Sequence, residues 1–411
     1  MKFNKSSQLL LVSAASLLAA GLMTACATLT VDFVFVASSK AAGTNSYGEI
    51  DVLEINSESG YMRHIPTSPF PSGGRDPVAE AVSADQTNLY VVNRDDNSIV
   101  QFVIGNDGKV YPQNTVNTPG IFPIAAAVSG TNLFVLDTYQ PLPTCSPAAP
   151  CSGSIAVFPI TVGSGSPPSD TLGTPVSNGN LSYWPLILPA SPTDVMVPTA
   201  VNVLASGADL YVTTYDASVS PTAGYIFGFA IGSGGALTPL NGGVPFAAGV
   251  QPSAIASDPS STYVYATDML SGNVLGFTVA SGLLTALSGS PFPAGNQPTA
   301  IVTDPTYPYA YVANGLDSSV TAYSINNGAL SMLGTVATGL QPVAMGIDPS
   351  TNHFLYTVNY LGKAVNGTVS GFELSPTAGT LVNSQNSPFT VNALPTAVAA
   401  IPHGSMKSSS K

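Results

Sequence analysis

Basic residues are scarce in this chain, which carries 10 Lys and Arg against 22 Asp and Glu in 411 residues. The formal net charge of −12 gives a surface that repels nucleic acids and anionic membranes. We therefore expect no nucleic-acid partner. The acidic residues stand singly, mostly as Asp in turn segments, and most are interpreted as solvated turn residues.

The signatures of nucleotide and cofactor enzymes are missing from the sequence. It contains no P-loop, no dinucleotide-binding glycine fingerprint and no nucleophilic serine motif. The three histidines are predicted to lie in an outer strand (His64), a turn (His353) and the C-terminal tail (His403), where none suits a catalytic base. The sequence therefore predicts no cofactor.

Apolar stretches of helical length and period are absent after residue 25. Instead, 35 Pro and 39 Gly separate short runs of β-branched and aromatic residues. Turn residues at this density predict an all-β protein with many tight connections.

Residues 1–25 have the pattern of an export signal: a basic start, an apolar run and small residues at the end. The segment LMTAC resembles a bacterial lipobox with Cys26 as the lipidated residue, and cleavage after the A-x-A pattern at 25–27 is the alternative. Both predict export, to the bacterial periplasm or the outer cell envelope. Membrane contact is expected only through a lipid anchor on Cys26.

Cysteine use agrees with an oxidising compartment. Besides Cys26 the chain has Cys145 and Cys151, in the Pro-rich segment CSPAAPC. Lipidation of Cys26 leaves these two to form a disulfide, which would stabilise the loop by about 2–3 kcal/mol. No metal site is expected here, because no His or second Cys pair lies nearby in the sequence.

Residues 251–350 repeat one pattern twice and begin it a third time. Each copy has a Gln-Pro opening, an apolar run, an Asp-Pro turn, a Tyr-rich run ending in Asn or Asp, a polar loop, an alternating strand and a Gly-containing turn. Self-similarity with a period in the forties indicates a propeller or a solenoid. The Asp-Pro turns at Asp258, Asp304 and Asp348 are interpreted as turn formers.

Two columns of residues extend this repeat over the chain. A Pro that opens an apolar run recurs at Pro77, Pro123, Pro198, Pro252, Pro298, Pro342 and Pro395. A polar residue ends the next run at Ser38, Asn93, Asp137, Thr214, Asp268, Asn314 and Asn359. Seven members in each column, with four strand-sized runs per unit, predict a seven-bladed β-propeller of four-stranded blades.

The chain ends predict how the ring closes. The first unit begins at its second strand (31–38), and the surplus PTAVAAI at 395–401 supplies its innermost strand. The predicted blades are 31–75 with 395–402, 76–122, 123–197, 198–250, 251–297, 298–341 and 342–394. The predicted domains are a lipoprotein-type signal peptide (1–25), the propeller (26–403) and a disordered tail (404–411).

The runs YVVN, YVTT, YVAN and YTVN resemble the YVTN-type propeller repeat. Together with the period, the x-Pro openings and the turns GALSML, GLLTAL and GALTPL, residues 31–402 resemble the lactonase family of 6-phosphogluconolactonase-like seven-bladed propellers. The family that it resembles includes sugar-lactone hydrolases, relatives that act on other cyclic esters, and members without an assigned reaction. The resemblance therefore implies a hydrolase of a lactone or another cyclic ester, or a protein without a known reaction. The matched motifs are structural, so no catalytic residue is carried over. The single Trp184 excludes the Trp pattern of quinoprotein propellers.

Candidate catalytic residues come from the second blade, on the face where the blades are entered. This blade opens with Arg75 and Asp76, and Arg94 follows its polar column residue. Glu80 occupies an inner-strand column that is apolar in the other blades. We expect the arginines to hold a carbonyl while Glu80 or Asp76 activates water. The alternative is that Glu80 forms an inter-blade salt bridge with Arg75 or Arg94. A Ca²⁺ site at Asp95 and Asp96 lacks the ligand spacing of a dedicated loop, so no metal site is predicted.

Polar residues around the same channel mouth are candidate ligand contacts. Gln251, Gln297 and Gln341 could donate amides to a ligand or bond from blade to blade, and Asn93, Asn314 and Asn359 stand beside them. The insertions of the third blade, 139–151 and 164–194, are Pro- and Ser-rich and are expected to shape the binding face.

Two functions follow from these features. One is an exported, lactonase-like hydrolase of an uncharged sugar lactone or similar cyclic ester, because a phosphate group needs several basic donors. The alternative is a non-catalytic cell-envelope propeller that binds a glycan or a protein. In both cases a small-molecule or glycan ligand is expected at the channel mouth of a monomer.

Overall fold

The computed structural model describes residues 31–39, 47–163, 170–348, 354–361, 366–391 and 394–402. The predicted signal peptide, Cys26 and the predicted tail therefore lie outside the described residues. None of the helices in the described segments is long and apolar enough to span a membrane.

Short strands make up almost all of the described chain, with two single-turn 3-10 segments at Ser233–Gly235 and Asn241–Gly243. The first strands are β1 (Val31–Ser39), β2 (Tyr47–Asn56), β3 (Met62–His64), β4 (Phe70–Arg75), β5 (Pro77–Val82), β6 (Asn88–Asn93), β7 (Ser98–Ile104), β8 (Val110–Asn117), β9 (Ile121–Ser129), β10 (Asn132–Tyr139), β11 (Ser154–Thr161), β12 (Thr171–Leu172), β13 (Trp184–Pro185), β14 (Met196–Val203), β15 (Asp209–Asp216) and β16 (Ala223–Ile231). They are followed by β17 (Leu237–Pro239), β18 (Phe246–Ala247), β19 (Pro252–Ser257), β20 (Tyr263–Asp268), β21 (Asn273–Ala280), β22 (Leu283–Ala286), β23 (Phe292–Pro293), β24 (Pro298–Thr303), β25 (Tyr309–Asn314), β26 (Ser319–Asn326), β27 (Ala329–Ala337), β28 (Leu340–Ile347), β29 (Phe354–Leu361), β30 (Thr368–Leu374), β31 (Leu381–Asn383), β32 (Phe389–Thr390) and β33 (Leu394–Ile401).

These strands form seven antiparallel sheets, so the predicted seven-bladed propeller is confirmed. From the centre outward, blades 2 to 7 read β5-β6-β7-β8, β9-β10-β11-β12, β14-β15-β16-β17, β19-β20-β21-β22, β24-β25-β26-β27 and β28-β29-β30-β31. In several blades the outer edge is divided, with a second short strand (β4, β13, β18, β23 or β32) beside the third strand.

The ring closes within blade 1, as predicted. Strand β33 pairs antiparallel with β1, from Phe33 opposite Ile401 to Ser39 opposite Leu394, and β2, β3 and β4 complete the sheet. Inner strands of neighbouring blades contact each other around the whole ring, including β28 with β33 and β33 with β5. Joining the first and last strands leaves no unpaired inner edge at the seam.

The two predicted columns are paired with each other in every blade. Each opening proline lies directly opposite the polar residue that ends the second strand, as Pro77 opposite Asn93 and Pro298 opposite Asn314. The loops before these prolines and after these polar residues therefore share one face, which we call the entry face. The first and last described strands begin and end on the other side, because Val31 pairs with Asn56 and Ile401 with Phe33.

A β-bulge follows the opening proline, and its extra residue often carries a hydroxyl. The Thr299 hydroxyl donates to the Pro342 carbonyl of the next blade at 2.8 Å. Ser253 bonds the Pro298 carbonyl in the same way at 2.6 Å, and at the seam Thr396 bonds Pro77 at 2.6 Å. Hydrogen bonds from these hydroxyl groups thus join neighbouring blades at the entry ends of their inner strands.

Apolar side chains of the described residues pack mainly between the blades. Each of the seven buried clusters joins two neighbours, for example Phe35 and Val52 of blade 1 with Val91 of blade 2. The tyrosines of the YVTN-like runs lie in these layers, and the Tyr265 hydroxyl donates to the Gly328 carbonyl of the next blade at 2.9 Å. The repeat is therefore a packing motif.

The insertions of blade 3 lie in two different places. The first follows β10 at the entry face, where Cys145 and Cys151 form a disulfide with their Cα atoms 5.5 Å apart. The second carries Trp184, whose indole N–H donates to the Leu237 carbonyl of blade 4 at 2.8 Å. The described part of this second insertion therefore contacts the outer edge of blade 4, and its end returns to the entry face, where the Asp194 carbonyl accepts from Ser152 Oγ at 2.9 Å. Its role in shaping the binding face stays a prediction.

Replacing Thr299 with Val should lower the free energy of unfolding by about 1 kcal/mol, because an isosteric side chain loses the bond to the Pro342 carbonyl. Chemical denaturation measures the change. Thr278→Val is the matched control, since the Thr278 hydroxyl bonds the Thr285 carbonyl within its own blade. Equal losses in the two variants would contradict a role for Thr299 in joining blades.

Candidate functional site

Five of the predicted charged residues meet on the entry face of blade 2. Strand β4 ends at Arg75, and Asp96 lies in the loop between β6 and β7. Arg75 Nε donates to Asp96 Oδ1 at 2.6 Å, and the Arg75 peptide N–H donates to Asp96 Oδ2 at 2.7 Å. Arg75 Nη2 also donates to the Asp95 carbonyl at 2.9 Å. The two entry loops are thereby fastened together with the guanidinium half exposed.

Arg94 joins the remaining carboxylates of this cluster. Its Nη2 lies 2.6 Å from Asp76 Oδ2, and its Nε donates to Asp95 Oδ1 at 3.1 Å. The Arg94 peptide N–H donates to the Asp76 carbonyl at 2.9 Å. Both ion pairs are open to solvent, so each adds little stability. We refer to Arg75, Asp76, Arg94, Asp95 and Asp96 as the blade-2 charge cluster.

Asp76 is the carboxylate best suited to proton transfer in this cluster. It has a left-handed backbone with φ of 52°, and its side chain is partly exposed. Partial burial raises its pKa above the usual value, Arg94 lowers it, and Asp95 raises it again. The result is a carboxyl group that is a stronger base than an ordinary Asp and still reaches solvent.

Glu80 does not join this cluster, and the expected salt bridge is wrong, because no ion pair of Glu80 with Arg75 or Arg94 forms among the described residues. Its catalytic role stays a prediction that the place of its carboxylate does not favour. Both carboxylate oxygens of Glu80 are inaccessible to solvent and without a hydrogen-bond partner among the described residues. Strand β5 directs this side chain between blades 1 and 2, so substrate in the channel cannot reach the carboxylate.

Burial determines the ionisation of Glu80. Desolvation raises its pKa well above the usual value, the nearby Ala37 peptide N–H lowers it in part, and Asp51 raises it. The Ala37 group acts through its dipole, since the contact does not meet hydrogen-bond geometry. The buried, unpartnered carboxyl of Glu80 therefore favours its protonated form and destabilises the fold when it is ionised.

The backbone groups of the glutamine column, the three glutamines before the opening prolines, form hydrogen bonds that hold the entry turns. Gln297 and Gln341 have left-handed φ values of 52° and 56°, and the Gly315 peptide N–H donates to the Gln297 carbonyl at 2.7 Å. The amide side chains of Gln251, Gln297 and Gln341 are partly exposed and make no hydrogen bonds within the described part of the chain. The expected blade-to-blade bonds come from Ser and Thr of the bulges instead, and a ligand role for the glutamines stays a prediction.

The asparagine column lies inside the fold, which corrects its prediction as a ligand site. Asn314 accepts from the Gly295 peptide N–H at 3.0 Å and donates to Thr321 at 2.9 Å. Asn359 donates to Thr368 and Ser370, and Asn93 is equally buried. Asn314 and Asn359 therefore cap the entry of their blades, whereas the buried amide of Asn93 has no hydrogen-bond partner among the described residues.

Glycine is needed opposite these caps. A Cβ on Gly295 would lie 2.6 Å from Asn314 Cγ, and one on Gly74 would lie 2.5 Å from Asn93 Cγ. In five of the seven blades a glycine two residues before the x-Pro opening carried this signal in the sequence: Gly74, Gly120, Gly249, Gly295 and Gly339.

Two further features of the described residues offer no alternative reaction site. A cavity of about 250 Å³ lies at the outer edge of blades 3 and 4, lined by uncharged residues such as Ile187, Phe229 and Val244. It has no group that could activate water. No cluster of three His, Cys, Asp or Glu suited to a metal ion occurs in the residues that the structure describes.

Residues 249–386 match the family model described as "Lactonase, 7-bladed beta-propeller". The match spans blades 5 and 6 and most of blade 7, and it confirms the resemblance seen in the repeat. No curated protein matches the chain in sequence.

Solved structures share the fold at low identity. The periplasmic gluconolactonase of Pseudomonas aeruginosa superposes with a TM-score of 0.66 at 18% identity, covering 90% of this chain and 99% of that one. A candidate 6-phosphogluconolactonase from Bacteroides fragilis gives 0.64 at 18% identity, covering 91% and 99%. A Lactobacillus plantarum protein gives 0.64 at 18%, covering 90% and 99%.

Changing Glu80 to Met, the residue of blade 7 in this column (Met345), should raise the thermal midpoint at pH 8 by more than at pH 4. Because folding raises the pKa of Glu80, its ionisation opposes folding above that pKa, and the penalty is lost as pH falls toward 4.5. The expected gain at pH 8 is about 1–3 kcal/mol.

Ile301→Met in the same column of blade 6 is the control, with an effect that does not depend on pH. A gain for Glu80→Met of equal size at both pH values would contradict a buried, unpartnered carboxyl.

Proposed function

We propose that this seven-bladed propeller of the lactonase type is an exported hydrolase of uncharged lactones, with the blade-2 charge cluster as its site. The observation that carries the proposal is the meeting of Arg75, Arg94 and an accessible Asp76 on two adjacent loops of the channel mouth. A base and cationic donors on one small surface are the groups that ester hydrolysis needs.

Asp76 acts as the general base. It takes a proton from a water molecule as the water oxygen attacks the lactone carbonyl carbon. The guanidinium of Arg75 donates to the developing oxyanion, while Arg94 keeps Asp76 ionised and oriented. When the ring C–O bond breaks, Asp76 returns the proton to the leaving alkoxide, and the product is a hydroxy acid.

An uncharged substrate fits the charge of the chain. With 10 basic residues in 411, and with the charges of Arg75 and Arg94 balanced by neighbouring carboxylates, the site has no net positive charge to bind a phosphate. The periplasmic gluconolactonase that shares this fold is consistent with an exported enzyme for an uncharged lactone.

Export and a lipid anchor at Cys26 are part of the proposal. The described chain starts at Val31 on the side opposite the entry face. The five residues from Cys26 to Val31 reach at most about 18 Å. An anchored molecule would therefore hold its entry face away from the membrane.

A non-catalytic propeller that binds a glycan or a protein is the second candidate. The exposed amides of Gln251, Gln297 and Gln341, which make no bonds within the described fold, favour it. Both candidates use the same face, and turnover separates them.

Asp76→Asn should lower kcat for lactone hydrolysis at least about 100-fold, because it removes the general base. A pH-stat assay with aldonolactones and the chain from residue 27 measures the rate. In the wild type the rate should fall below a pKa raised above that of an ordinary Asp.

Asp107→Asn is the matched control, since Asp107 pairs with Lys109 on the opposite side of blade 2. Wild-type turnover in Asp76→Asn would move the site elsewhere, and a wild-type rate no faster than spontaneous hydrolysis on the whole panel would leave the binding protein as the function.

A further inference from the structure

Four large apolar side chains are exposed on the entry face of blades 5 to 7. The exposed fractions are 60% for Leu270, 68% for Leu316, 55% for Leu340 and 46% for Leu361. We call these residues the leucine sector. A group of this kind on one functional face marks a contact for an apolar partner or ligand.

The fold brings these leucines to equivalent places. Leu270, Leu316 and Leu361 each follow the residue that caps the second strand of their blade by two positions. Leu340 precedes Gln341 and lies directly opposite Leu361 in the ladder between β28 and β29. Similar side chains therefore recur along the rim from one blade to the next.

Hydrogen bonds hold the leucine sector beside the glutamine column. The Leu316 peptide N–H donates to the Asn296 carbonyl at 3.3 Å, next to the bond from Gly315 to Gln297. In blade 5 the Met269 peptide N–H donates to the Gln251 carbonyl at 2.9 Å, one residue before Leu270. Apolar side chains and uncharged amides thus share the same part of the mouth.

Charge divides the mouth into two sides. In the described entry loops of blades 5 to 7, the charged side chains are Asp268, which is buried, and Asp317, which accepts two hydrogen bonds from Asn296. In a ring of seven, blades 5 and 6 lie across the channel from blade 2 and its charge cluster. The mouth is therefore polar on one side and apolar on the other.

We propose that the substrate is an amphipathic lactone, whose carbonyl is held at the blade-2 charge cluster while its alkyl chain contacts the leucine sector. The inference rests on the proposed hydrolase and adds its substrate class. An uncharged alkyl chain suits the site because an anionic substituent would meet no cation in the described entry loops of blades 5 to 7, where Asp317 would repel it. The ring opening itself is unchanged, with water added across the ester bond.

The test uses γ-lactones with chains from γ-butyrolactone to γ-dodecalactone, kept below their micelle concentrations. In the wild type, kcat/KM should rise about two- to fourfold per added methylene until the chain spans the leucine sector. In the double variant Leu270→Asn, Leu316→Asn this rise should largely disappear. Leu283→Asn, which changes an exposed leucine on the outer edge of blade 5, should keep it.

Titration calorimetry with γ-lactams of the same chain lengths gives a readout that needs no turnover. Affinity that grows with chain length in the wild type and in Asp76→Asn, and is lost in the double leucine variant, supports the alkyl site even when no lactone is hydrolysed. If neither kcat/KM for the lactones nor the affinity for the lactams changes with chain length, the inference is overturned, while the proposed hydrolase still stands. A dimer that the leucine changes dissociate, with binding indifferent to chain length, would also overturn it.

Discussion

Packing between neighbouring sheets is the constraint on which this molecule depends. Each blade buries both faces against other blades, so the described apolar side chains form layers between blades. A strand between two such layers has no polar face, and a polar side chain within it needs a hydrogen-bond partner in the fold, as Gln101 has in Asn88. The caps, the bulge hydroxyls and the charged loops therefore all gather where strands begin and end.

This constraint separates the two kinds of charged residue in blade 2. Arg75, Arg94 and Asp76 lie beyond the strand ends, where water and ligand reach them. Glu80 lies within a strand, and its carboxylate points into a layer that has no donor for it. An acidic residue in an apolar column can therefore be a destabilising buried group or a catalytic one. Its position along the strand distinguishes the two, because water and ligand reach only the strand ends.

The repeat made most of the fold predictable. The two columns, the seven blades and the closure by the C-terminal strand follow from a period that every blade shares. The lack of a hydrogen-bond partner for Glu80 could not be read this way, because the groups around its carboxylate belong to the neighbouring blade. The pairing of Arg75 with Asp96 and the exposure of Leu316 depend on loop conformations that the period does not determine. The Ser and Thr of the bulges were visible in the sequence, but their bonds cross between blades and follow from three-dimensional closeness alone.

The seam of blade 1 also sets the order in which the chain can mature. The Thr396 hydroxyl donates to the Ala37 carbonyl across 359 residues of sequence, and β33, the partner strand of β1, is the last of the described strands. During translation β1 therefore has an open edge until residues 394–401 have been synthesised. A ring that cannot close until this strand is made stays an open chain for most of its synthesis, which is compatible with the export proposed above.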